Sequence, residues 1–127
     1  MKLELDSNRI TRLHSEEIVE IGGEGFLHHN RTLRSLSMPC VKSIGDWFLC
    51  HNRALTRLDL PRVQFIGDRF LDYNRTIRSL DLPRVWFIGD CFLYRNRILT
   101  TLSLRRVESL GGWFLRCNPR IDRDDYL

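Results

Sequence analysis

Residues 33–54 read LRSLSMPCVKSIGDWFLCHNRA, residues 55–76 LTRLDLPRVQFIGDRFLDYNRT and residues 77–98 IRSLDLPRVWFIGDCFLYRNRI, three copies of one 22-residue unit. A repeat of this period predicts a solenoid, because a unit so short has no core of its own and buries its apolar side chains only against the units before and after it. The same frame extends outward in both directions. Residues 10–32 keep Ile10, Leu13, Ile18, Ile21, Gly22, Phe26, Leu27 and Asn30, with one extra residue between Gly22 and Phe26, and residues 99–120 keep it with Arg105 where the other units have Pro39, Pro61 and Pro83. The reading is five coils, 10–32, 33–54, 55–76, 77–98 and 99–120, with residues 1–9 as an N-terminal cap and residues 121–127 as an acidic C-terminal tail.

The order of residue types within a coil predicts its path. Leu55-x-x-Leu58-x-Leu60 alternates like a short strand with one buried face, and Pro61 ends it, since proline has no N–H for the ladder. Val63-x-x-Ile66 then crosses to a far wall. Gly67, matched by Gly45, Gly89 and Gly111, is expected to make a corner with a positive φ. Asp68, matched by Asp46 and Asp90, is expected to cap a short helical turn holding Phe70 and Leu71. Asn74 stands in a column with Asn30, Asn52, Asn96 and Asn118, and inward amides there would form a ladder that satisfies buried backbone groups.

The pattern L-x-x-L-x-L-P-x-V-x-x-I-G-D-x-F-L-x-x-N resembles a leucine-rich repeat, and is most similar to the BspA-like bacterial class, over residues 10–120. It departs from that class in having one residue fewer between the proline and the valine, and asparagine where cysteine is usual. The resemblance implies a curved, right-handed solenoid with short parallel strands on the concave wall and turns, short strands or short helical turns on the convex wall. It also implies protein–protein or adhesive contacts, with no catalytic residues and no cofactor.

Chemistry finds little support in the residues themselves. The 127-residue chain has no long apolar run, and its first ten residues lack the apolar core of a signal peptide, so a cytoplasmic protein without a membrane span is expected, delivery to another cell left open. Cys40, Cys50, Cys91 and Cys117 show no CxxC pairing and are read as reduced thiols. His28, His29, His51 and Cys50 fall on adjacent columns without metal-ligand spacing, and no phosphate-cradling loop or nucleophile elbow appears, so neither a metal site nor an enzyme is expected.

Charge is the more informative signal. Residues 31–120 carry sixteen basic and seven acidic side chains, whereas residues 1–30 and 121–127 are net acidic. The basic residues form columns, Arg31, Arg53, Arg75 and Arg97 in one and Arg62, Arg84 and Arg106 in another. Like charges one coil apart repel by roughly 1 kcal/mol even in water. Either the Asp46, Asp68 and Asp90 column pairs with these guanidiniums, or an acidic partner does. Aromatic residues also stand in columns that are polar elsewhere: Phe65, Trp86, Phe87, Trp47, Trp113, Tyr73 and Tyr94. The expected function is non-catalytic binding of an acidic protein through these two arginine columns with Trp86, Phe87, Phe65 and Trp47. The alternatives are a polyanion or nucleic-acid binder, and an engineered scaffold without a natural partner. Leu102, Leu104, Val107 and Phe114 at the last coil further suggest an end-to-end homodimer or a helical C-terminal cover.

Overall fold

The computed structural model describes residues 10–27, 29–114 and 116. These form a parallel β-solenoid of about four turns, with no helix among the described residues. Each coil contributes one strand to a first side and one to a second. The strands in chain order are β1 (Arg12–His14), β2 (Glu20–Glu24), β3 (Ser35–Ser37), β4 (Ser43–Asp46), β5 (Arg57–Asp59), β6 (Phe65–Ile66), β7 (Ser79–Asp81), β8 (Phe87–Ile88), β9 (Thr101–Ser103) and β10 (Ser109–Leu110). On the second side β2, β4, β6, β8 and β10 pair without a break. On the first side β1, β3 and β5 form one sheet and β7 and β9 another.

Register follows the repeat, so equivalent residues stack in columns. Ser35 faces Arg57, Leu36 faces Leu58, Phe65 faces Phe87 and Ile66 faces Ile88. Because side chains alternate along a strand, Leu36, Leu80 and Leu102 turn inward while their neighbours turn out. Inside, Leu33, Leu55, Ile77 and Leu99 form one buried column, Val41, Val63 and Val85 a second, and Ile44, Ile66 and Ile88 a third. The rings of Phe26, Phe48, Phe70, Phe92 and Phe114 stack face to face, with centroids 5.4–5.5 Å apart. The extra residue of the first coil is absorbed as a bulge, since β2 pairs Ile21 with Ile44 but Glu24 with Asp46, and Gly23 takes up the slack at φ 78°.

Two expectations about the corners are corrected. Asp68 caps no helix; the segment after it alternates residues in the left-handed region instead, at Arg69, Leu71 and Tyr73, as the neighbouring coils do at Trp47, Leu49, His51 and at Cys91, Leu93, Arg95. That conformation costs a residue with a Cβ roughly 1 kcal/mol. It is held because each such amide reaches another coil, alternately forward and backward: Arg69 N–H donates to Asp90 O at 2.7 Å, Leu71 N–H to Phe48 O at 3.0 Å and Tyr73 N–H to Tyr94 O at 2.8 Å. A continued helix would turn these amides onto their own coil and leave the backbones of the adjacent coils unpaired.

The glycine column likewise serves another purpose than a positive φ. A Cβ on Gly67 would lie 2.8 Å from the carbonyl carbon of Gly45 and 3.0 Å from the Asp46 amide nitrogen, and would strike Asp46 Oδ1. Glycine is needed because the coils approach so closely there. The approach lets each aspartate bond the next coil: Asp46 Oδ1 accepts from Asp68 N–H at 2.8 Å, Asp68 Oδ1 from Asp90 N–H at 2.7 Å and Asp90 Oδ1 from Gly112 N–H at 2.7 Å.

Asn30, Asn52, Asn74 and Asn96 are buried at the remaining corner, while Asn118 lies outside the described residues. Their bonding alternates with the residue two positions on. Before Thr32 and Thr76, the Asn30 and Asn74 oxygens accept the threonine N–H at 2.9 and 3.3 Å. Before Ala54 and Ile98, the Asn52 and Asn96 amides instead donate to the preceding coil, to Leu27 O at 3.1 Å and Leu71 O at 2.8 Å.

Candidate interaction site

The outer face of the second side brings together two features that the sequence keeps in separate columns. β6 and β8 place Phe65 and Phe87 side by side, turned outward because Ile66 and Ile88 turn in. Trp86, one residue before β8, packs its ring edge-on against Phe65 with centroids 4.8 Å apart. All three remain exposed, Phe65 and Trp86 at 39% and Phe87 at 43%, and together they form an exposed apolar patch. Just upstream in each coil, the turn after β5, β7 and β9 holds Arg62, Arg84 and Arg106, also exposed. Arg84, Arg105, Arg106, Trp86, Val107 and Glu108 line one concavity of about 730 Å³.

Arg105 was not among the residues expected at the site. Its signal is present in the sequence, an arginine replacing the proline of the other coils next to Arg106 and one coil beyond Arg84. Among the described residues none of Arg31, Arg53, Arg75, Arg97, Arg62, Arg84 and Arg106 makes an ion pair. The aspartate column therefore does not neutralise these columns; its Oδ1 atoms are engaged by backbone amides.

The other expected residues are placed elsewhere. Arg31, Arg53, Arg75 and Arg97 project at the asparagine corner, each directly after a buried amide. Trp47 stands past the glycine corner with the Arg69 guanidinium 4.7 Å above its ring, and Arg69 is itself bound to Asp72 at 3.1 Å. Tyr73 and Tyr94 belong to a stack on the third side, where His29 meets His51 at 4.5 Å, His51 meets Tyr73 at 4.7 Å and Arg95 lies over both tyrosines. A second concavity of about 650 Å³ crosses the first side between Arg12, His14, Ser35, Ser37, Arg57 and Asp59, and has no aromatic anchor.

Asp72 is a further surprise, a carboxylate 1% exposed in a column whose other members are His28, Cys50, Tyr94 and Arg116. Burial pushes its carboxyl above the ordinary value, and the Arg69 hydrogen bond offsets this in part. The neighbouring Cys50 thiol, pushed up to about 12 mainly by burial, donates to Arg69 O at 2.9 Å. A thiol so protonated at neutral pH is a poor nucleophile and a poor metal ligand. No group of three or more metal-ligating side chains occurs among the described residues, and His28 lies outside them. Nor, among the described residues, is any helix long and apolar enough to cross a membrane. Comparison with protein-family models, with curated proteins and with solved structures finds no match.

Proposed function

We propose that the chain is a leucine-rich-repeat solenoid of five coils that works as a non-catalytic interaction module, binding an acidic protein through the outer face of its second side. The observation that carries this reading is the exposed cluster of Phe65, Trp86 and Phe87 beside arginines without ion pairs. Aromatic rings and arginines are the side chains that most often dominate binding energy. Arg62, Arg84 and Arg106 flank the rings and meet the partner's carboxylates, while Arg31, Arg53, Arg75 and Arg97 at a different corner steer its approach. Trp47 is as exposed as Trp86, but it stands past the glycine corner beside Arg69 and is not part of this face.

A polyanion or nucleic-acid reading draws on the same arginine columns, each repeating once per coil. Salt separates the two. A nucleic-acid complex weakens log-linearly with salt as counterions are released, whereas a folded acidic partner depends on the rings. Affinity capture from lysate with the whole chain, repeated with Trp86→Ala and with the pair Arg84→Glu and Arg106→Glu, is expected to lose the same proteins in both variants. Recovery of nucleic acid, indifferent to Trp86→Ala, would favour the polyanion reading.

A further inference from the structure

The concavity beside Trp86 has a charge composition of its own. Arg84, Arg105 and Arg106 line it with a single carboxylate, Glu108, so three positive charges and one negative leave it two positive. No ion pair joins these four side chains, although they share one cavity. Mutual repulsion of guanidiniums in such a space is relieved by an anion of matching charge. The feature is local. Where earlier coils put Pro39, Pro61 and Pro83 in this column the last has Arg105, so the third guanidinium exists only here. An apolar wall adjoins it, made by the half-exposed Trp86, with Phe65 against it, and by Val107.

We propose that this concavity receives a phosphorylated side chain on the acidic protein partner, its phosphate held by Arg84, Arg105 and Arg106 and its carbon skeleton against Trp86. The inference rests on the acidic-partner reading above and narrows it. A phosphate monoester carries about two negative charges at neutral pH and offers three acceptor oxygens to planar guanidinium forks, whereas a lone carboxylate brings one charge and leaves a guanidinium unmatched. Glu108 faces the same space and, being negative itself, disfavours a ligand that brings further negative charge beyond the phosphate.

The test uses the full chain labelled with ¹⁵N, the indole N–H resonances of Trp47, Trp86 and Trp113 as reporters, and two probes sharing a ring, phenyl phosphate and phenylacetate. Phenyl phosphate is expected to move Trp86 selectively and to bind about tenfold more tightly than phenylacetate, an advantage that shrinks as pH falls through the second phosphate ionisation near about 6. Arg105→Pro installs the residue that the three middle coils carry there, so it tests the site without removing the fold, and is expected to erase the difference between the probes. Equal binding of phenylacetate, an unchanged Arg105→Pro variant, equal movement of all three indoles, or no shift of Trp86 overturns the proposal. So does an oligothymidylate that binds more tightly than phenyl phosphate with a log-linear salt dependence. The phenyl-probe outcomes leave the acidic-partner reading standing, whereas the oligothymidylate outcome favours the polyanion reading, and capture of an acidic protein unaffected by Trp86→Ala removes the acidic-partner reading.

Discussion

Two phenylalanine columns run through the same coils with opposite surroundings. Phe70 and Phe92 are fully buried and stacked between rings of the adjacent coils, while Phe65 and Phe87, five residues earlier, are 39% and 43% exposed. Residue type is the same and so is the spacing between coils. What differs is the path of the chain: the inward column follows the glycine corner, where alternating left-handed residues let consecutive side chains such as Phe70 and Leu71 both turn into the core, and the outward one occupies the strand position next to an inward-facing isoleucine. In this solenoid, position within the coil therefore decides whether a ring supports the fold or faces a ligand.

That distinction is most easily broken at the glycine corner. If adjacent coils really touch there, Gly67→Ala forces a Cβ against Gly45 and Asp46 backbone and is expected to cost about 3 kcal/mol. Urea unfolding measures this, and a loss under about 0.5 kcal/mol would mean that the coils are not so closely stacked. Asn96→Ala is expected to cost about 2 kcal/mol, because Leu71 O then loses the amide that reaches it at 2.8 Å in a buried setting. A neutral Asn96→Ala would remove the amide from the set of groups that join coils.

Asp72 sharpens the comparison by a smaller, signed effect. Its folded carboxyl titrates above the ordinary value, so the fold favours the protonated form, and the stability this brings is present at low pH and lost as pH rises through the raised value. Asp72→Asn deletes the titration. The stability of that variant relative to the native chain is expected to improve steadily from about pH 3 to about pH 7, by pairs of unfolding curves across that range. A constant or reversed difference would show that the Arg69 ion pair outweighs burial.

Much of the stacking was legible in the sequence. The 22-residue offset places Leu36 against Leu58 and Phe65 against Phe87, as the strand register does, and Pro61 stands where β5 has ended. The third side was not legible. Leucine, tryptophan and arginine have no preference for the left-handed region, so nothing at Arg69, Leu71 or Tyr73 announces it; the cross-coil amide bonds impose it. The glycine and aspartate columns were visible as columns, but their roles depend on the distance between coils, which no single coil encodes. The candidate site was half legible. Arginine and aromatic columns could be counted, yet only the fold separates Trp47 from Trp86 and adds Arg105 to Arg84 and Arg106.

The most direct measurement is a matched pair, Phe70→Ala and Phe87→Ala, unfolded in urea under identical conditions. Phe70→Ala opens a cavity between stacked rings and is expected to lose about 3–5 kcal/mol, while Phe87→Ala, already half in water, is expected to lose about 1 kcal/mol or less. Equal losses at the two positions would contradict the division into inward and outward columns on which both the fold and the proposed binding face rest.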